Sequence, residues 1–142
     1  MHRWISSFCR LSNNRPTRSP EITSSRPPYS CMDADQIGRL RDILDAARLI
    51  CAYIADTDEI AFRADTQKQD AIIRRIEIIG EATLHLSDQT RQALPQLPFR
   101  RMRGMRNVIA HDYAAVDLRI VWEVAALHVP ELRTILEEFF GH

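Results

Sequence analysis

Apolar residues return at alternating spacings of three and four along two long stretches, and this period constrains the fold more than any other feature of the chain. In the first stretch Ile37, Leu40, Leu44, Ala47, Cys51 and Ile54 form a seam, widened by Ile43 and Ile50. An α-helix turns once in about 3.6 residues, so this spacing gathers the side chains on one face. The pattern predicts a helix from Asp33 or Asp35, whose charges suit a helix N-terminus, to Ala55. Residues 56–65 read as a connection with a short turn of helix around Glu59–Ala64. A second helix over residues 66–87 buries Ile72, Ile76, Ile79, Thr83 and Leu86 and turns a charged stripe outward: Arg74, Glu77, Glu81, His85 and Asp88. Pro95 and Pro98 punctuate the next connection. A third helix starts near Pro98 with Phe99, Met102, Met105 and Ile109 inward. Asp117 is a candidate N-cap for a fourth helix carrying Leu118, Val121, Trp122 and Ala125. Pro130 breaks or kinks it before a last stripe of Leu132, Ile135, Leu136 and Phe139. No period-two pattern competes, so the expected class is all-α, a four- to five-helix bundle.

The first 31 residues do not share this pattern. Ser, Pro and Arg fill 16 of those positions, and Pro16, Pro20, Pro27 and Pro28 would interrupt any helix. Residues 1–31 are expected to be a disordered leader or upstream extension, with residues 32–142 as the domain and Met32 as its start. The net charge of zero divides unevenly: residues 1–31 hold five arginines and one acid, whereas the rest holds 14 basic and 18 acidic residues. A uniformly basic nucleic-acid binder is thereby excluded, and any RNA contact must come from a local cluster. Lys68 is the sole lysine beside 18 arginines, a bias that reads as compositional before functional. The odd count of three cysteines, without metal-ligand spacing, argues against a disulfide framework. No apolar run nears the roughly 20 residues of a membrane span. No membrane association is expected, and the default location is the cytoplasm.

The local cluster exists. Residues 100–106 contain Arg100, Arg101, Arg103 and Arg106, followed by Asn107, His111 and Tyr113. On a helix with Arg106 at zero, Arg103 falls near about 60°, Asn107 near about 100°, Arg100 near about 120° and His111 near about 140°. Met102, Met105, Val108 and Ile109 fall between roughly 200° and 320°. One face is therefore core, and the other presents guanidiniums, an amide and an imidazole. A solvated face with a capping histidine would produce the same pattern. The alternative is an RNA-cleaving site without a metal. Such a site needs a base for the 2′-OH proton, an acid for the departing 5′ oxygen and positive charge for the phosphorane-like transition state. Histidine moves protons near neutral pH, arginine donates in pairs to a phosphate, and asparagine holds a ligand or the imidazole by hydrogen bonds.

Arg106-Asn107-x-x-x-His111-x-Tyr113 resembles the Arg-x4-His-x-Tyr motif of HepT-like toxins in the HEPN superfamily. The segment Arg74-Arg75-Ile76-Glu77-Ile78-Ile79-Gly80-Glu81-Ala82 resembles that family's second-helix signature, and the opening from Met32, the Met105-Arg106-Asn107 lead-in and Trp122 also look alike. The resemblance covers about residues 32–140. It implies a HEPN-type bundle that forms a homodimer or a higher oligomer, with the motifs of both chains lining one cleft. It implies Arg106 and His111 as catalytic residues of a metal-independent endoribonuclease, with Asn107, Arg103 and Arg100 supporting or binding RNA. No cofactor and no metal site are expected. Tyr113 matches the tyrosine that a cognate minimal nucleotidyltransferase antitoxin modifies with AMP, in a type VII-like toxin–antitoxin pair. Two other functions compete: a non-catalytic dimer that binds RNA or a nucleotide, and a scaffold for the nucleotidyltransferase.

Other residues carry weaker signals. Glu81 and His85 stand one helical turn apart, a spacing open to a metal, but nothing in the sequence completes a ligand set, and a surface ion pair is the ordinary reading. Glu77 and Glu81 are candidates to pair with an arginine of the cleft. Gly80 in mid-helix costs on the order of 1 kcal/mol relative to alanine, which close helix packing would explain. Cys51 lies on the apolar seam and reads as core.

Overall fold

The computed structural model describes residues 29–110 and 115–141, without the side chains of residues 108–110. Residues 1–28 of the expected extension lie outside that range. All regular elements among the described residues are helices: α1 (Ala34–Ile54), α2 (Glu59–Ala64), α3 (Thr66–Leu84), α4 (Asp88–Ala93), α5 (Phe99–Ala110), α6 (Leu118–Glu123) and α7 (Val129–Phe140), with one π-helical turn, Val124–His128, joining α6 to α7. The all-α bundle expected from the periodicity is what forms.

Two faces meet α1, because α3 packs on one side and α7 on another. The buried positions are Leu40, Ile43, Leu44, Ala46, Ala47 and Ile50, whereas Ile37, Cys51 and Ile54 are only half-buried. The stripe is thus centred on the residues that seemed merely to widen the seam, as a helix covered from two sides requires. All five positions expected to be buried on the second helix are buried. Thr83 satisfies its hydroxyl by donating to the Ile79 carbonyl at 2.6 Å, which removes the cost of an unpaired buried oxygen.

Caps set most of the boundaries. Asp58 accepts from the Ala61 N–H, Asp65 from Lys68, Ser87 from Thr90 and Asp117 from Arg119. Each satisfies one of the donors that a helix start leaves free. The Ser87 cap opens α4, where the sequence suggested only a connection, and α3 consequently stops at Leu84 rather than near Ser87. Pro130 neither breaks nor visibly ends the last helix. The register widens ahead of it, and the Val129 N–H donates to the Val124 carbonyl. A proline ring collides with the carbonyl four residues earlier and has no N–H to offer it, and the π turn absorbs that misfit.

The core extends slightly upstream of the expected domain start. Tyr29 lies 5.7 Å from the Phe139 ring and 5.1 Å from the Phe140 ring, and Met32 is buried. Trp122 rests on Phe62 at 5.4 Å, tying α6 to α2. Burial pushes the Cys51 thiol above its ordinary pKa, with Glu137 adding to and Arg133 opposing the shift. Such a thiol packs against the core and is not an activated nucleophile. No helix among the described residues is long and apolar enough to cross a membrane.

Candidate active site

The site is built where α5 lies along α3. Met102 and Met105 are buried against α3, and this anchoring decides where the basic residues go. Arg100, Arg101, Arg103 and Asn107 are exposed to solvent. Arg106, next to the buried edge, is only part-exposed and points along the α3 surface instead. Arg100, Arg101 and Arg103 form no ion pair among the described residues. Arg100 and Arg103 share one side of this short helix, whereas Arg101 turns toward Ile120 and Val121 of α6.

Gly80 fixes the distance between the two helices. A β-carbon placed there would lie 2.7 Å from the Arg106 β-carbon and 3.4 Å from the Arg106 Cα and N. The α5 backbone therefore approaches α3 most closely at Arg106, in a space that only a hydrogen in place of a side chain leaves open. Glycine is there for the close packing that its position in mid-helix suggested, and the residue it accommodates is Arg106.

The neighbouring residue on α3 takes the guanidinium. Arg106 Nε stands 3.1 Å from Glu81 Oε2, while Glu81 Oε1 meets His85 Nε2 at 3.3 Å. Glu81 and His85 therefore serve as partners to an arginine and to one another. Among the described residues no group of three or more His, Cys, Asp or Glu side chains converges as a metal site would require. Glu77, the other acid considered as a partner of the cleft arginine, pairs within α3 with Arg74 at 3.4 Å. Asp88 leaves the charged stripe altogether, because it opens α4 and faces Arg91 at 3.7 Å.

The end of α3 that carries Glu81 and His85 is itself tied down. Gln36 on α1 accepts from the Ser87 N–H at 2.8 Å and from the Thr90 hydroxyl at 2.9 Å, and its amide donates to the His85 carbonyl at 3.2 Å. One side chain thus fixes the turn from α3 to α4 against α1. Beside it opens a groove of about 420 Å³, lined by Arg39 and Asp42 of α1, by Arg74, Glu77, Ile78, Glu81 and Ala82 of α3, and by Arg106. Arg39 is also engaged, with Asp35 at 3.1 Å.

Of the expected site residues, the structure brings Arg106 to this groove and leaves Arg100, Arg103 and Asn107 on the exposed side of α5. His111 and Tyr113 lie outside the described residues. Sequence reasoning did not bring Arg39, Asp42 or Arg74 into the site. Arg39 and Asp42 belong to a helix more than 60 positions upstream, and no local spacing reports that approach.

Comparison with known proteins bears on what the groove does. The family model for "Ribonuclease HepT-like" matches residues 43–139. "Putative RNase MJ1380" of Methanocaldococcus jannaschii is 32% identical over 98 residues, covering 69% of this chain and 90% of that protein. "Probable ribonuclease HepT" of Thermococcus cleftensis is 33% identical over 99 residues, covering 70% and 90%. "Putative RNase TTE0752" of Caldanaerobacter subterraneus subsp. tengcongensis is 37% identical over 99 residues, covering 70% and 88%. No solved structure matches.

Proposed function

Starting from the HepT-like ribonuclease family, to which this chain belongs, we propose that it is a metal-independent endoribonuclease whose catalytic residues are Arg106 and His111. The observation that supports this reading is the placement of Arg106. A solvated guanidinium would be free to wander, but this one is backed onto Gly80 and held by Glu81 at the mouth of a groove.

The chemistry follows from the residue types. The 2′-OH of the substrate attacks the adjacent phosphorus, forming the P–O2′ bond as the P–O5′ bond breaks. The products are a 2′,3′-cyclic phosphate and a 5′-hydroxyl end. His111 moves the protons, from the attacking hydroxyl or to the leaving oxygen. Arg106 faces the non-bridging oxygens, where negative charge grows. Arg100 and Arg103 attract the RNA backbone without reading its sequence, and Asn107 supports the substrate. No cofactor takes part. A homodimer, or a higher oligomer built from it, would complete the cleft with residues of a second chain, as the family resemblance implies; a chain that turns out of α5 after Ala110 would instead bring Arg106 and His111 together within one chain.

The same proposal covers regulation. Tyr113 lies two residues beyond His111, and adenylylation there by a cognate minimal nucleotidyltransferase would set a bulky anion beside the phosphate site. The pair would work as a toxin and its antitoxin in the cytoplasm. The test is cleavage of single-stranded RNA by the purified protein in EDTA. The wild-type chain cleaves, and Arg106→Ala and His111→Ala do not, although both fold. A binding module or scaffold would retain RNA or the nucleotidyltransferase and release no cyclic-phosphate product. Activity that vanishes in EDTA and returns with a divalent ion would overturn metal independence.

A further inference from the structure

We propose that Glu81 is a positioning residue for the cleavage reaction: its carboxylate holds the Arg106 guanidinium in the orientation that meets the scissile phosphate. The inference rests on the proposed ribonuclease function and goes beyond it, by assigning a role to an acid beside a phosphate site, where charge alone would disfavour one.

Three observations carry it. First, the closest contact runs through Arg106 Nε, at 3.1 Å from Glu81 Oε2. Arginine donates from Nε and from two terminal nitrogens in one plane. A carboxylate paired at Nε leaves the terminal nitrogens as the edge open to a phosphate. Second, Glu81 is not free to turn away. Its other oxygen meets His85 Nε2 at 3.3 Å, and the His85 carbonyl is held from α1 by the Gln36 amide. Third, the contact has little to do with folding. Arg106 and Glu81 side chains are 41% and 54% exposed, and exposed ion pairs contribute little to stability. The neighbouring Gly80 adds a constraint that a chance surface pair would lack, since it sets the Arg106 backbone against α3. Backbone and guanidinium are thus fixed by adjacent residues of one helix.

An acid that only shaped the fold and one that aims a catalytic arginine differ in what their loss does. Removing Glu81 takes a negative charge away from the RNA path, so binding should hold or tighten. Turnover should fall, because the guanidinium then spends less time facing the phosphate, by about fivefold for an orientation held by an exposed pair.

The experiment uses the full-length chain and a single-stranded RNA oligonucleotide, with Glu81→Ala, Glu81→Gln, Arg106→Ala and the double variant Glu81→Ala/Arg106→Ala. Glu81→Ala is expected to lower kcat by roughly fivefold, with KM unchanged or lower and Tm close to wild type. Glu81→Gln, which keeps an oxygen for the Nε–H, is expected to recover part of the loss. The double variant should be no slower than Arg106→Ala, since Glu81 acts through Arg106. A kcat for Glu81→Ala within twofold of wild type would overturn the inference while leaving the ribonuclease reading intact, and so would losses that add in the double variant. A second readout does not depend on cleavage. The Arg106 Nε–Hε resonance, identified by its loss in Arg106→Lys, should be shifted and slow to exchange in wild type and should move to the solvent-exposed position in Glu81→Ala. An unchanged resonance refutes the contact. A wild-type chain that cleaves no RNA refutes the proposed function separately.

Discussion

Gly80→Ala tests whether helix spacing places Arg106. Alanine is the better helix former by about 0.8–1.0 kcal/mol, so propensity alone predicts a more stable protein. Geometry predicts the opposite. The new methyl would sit 2.7 Å from the Arg106 β-carbon, with the Arg106 Cα and N at 3.4 Å. Carbon atoms settle at roughly 3.5–4.0 Å, so α5 must retreat from α3 by about 1 Å. The obstacle is backbone and Cβ, not the far end of a flexible chain, and no rotamer change relieves it. Overpacking of this kind costs about 1–3 kcal/mol. Set against the propensity gain, the net effect is a loss of about 0–2 kcal/mol.

Activity should respond far more strongly than stability, because the retreat carries Arg106 away from Glu81 and the groove. A drop in kcat of about 100-fold is expected at a Tm within some degrees of wild type, read from a fluorescent RNA cleavage assay and a thermal melt. Gly38→Ala and Gly104→Ala supply the controls, since a β-carbon at either position meets nothing within 4 Å. Both should gain about 0.4–1 kcal/mol and keep their turnover. Full activity and a raised Tm for Gly80→Ala would refute the reasoning, since the substitution would then behave as an ordinary exposed helix position.

Two further outcomes are expected. Chains starting at Tyr29 and at Met32 should both fold and cleave, but the shorter should melt lower. It loses the Tyr29 contacts with Phe139 and Phe140, worth about 0.5–1.5 kcal/mol each beyond buried area, and equal melting temperatures would show that those contacts contribute nothing. A mixed dimer with Arg106→Ala on one chain and His111→Ala on the other should exceed either homodimeric mutant in RNA cleavage, whereas a wild-type monomer found active by light scattering and assay together would rule out a composite cleft.

The bundle was legible because its long helices bury one face each, and burial writes a period into the sequence. The same logic explains what stayed hidden. Helix α4 spans only Asp88–Ala93, too short for a period to register, and its Ser87 cap stood among connection residues. Pro130 announced a disturbance, but sequence alone does not choose between a break, a kink and the π turn that forms. The seam of α1 was centred off the true stripe because its neighbours were unknown, and α3 and α7 together cover more of it than a single partner would. At the site, Arg106 was legible from its motif, and Glu81 was one of two acids expected as partners of a cleft arginine; which of Glu77 and Glu81 takes it depends on how α5 crosses α3, and no local spacing encodes that. The signal that could have chosen Glu81 was Gly80, a costly residue in mid-helix immediately before an acid.

The arginines of α5 divide into two kinds, and the division bears on how an acidic domain handles RNA. Arg100, Arg101 and Arg103 are exposed and free of ion pairs among the described residues, so each keeps its full charge and its mobility. Long-range attraction needs nothing more, because phosphates and flexible guanidiniums meet through counterion release and not through fixed geometry. Arg106 is the reverse: its charge is partly offset by Glu81 and its position is set by Gly80. An arginine paired with an acid is a weaker recruiter of RNA than a free one but a well-aimed donor once the phosphate has arrived. On the proposed function, then, recruitment and catalysis fall to different residues of one short helix. The negative balance of residues 32–142 disfavours RNA elsewhere on the surface, so the phosphate backbone is drawn to the helix whose fixed arginine can act on it.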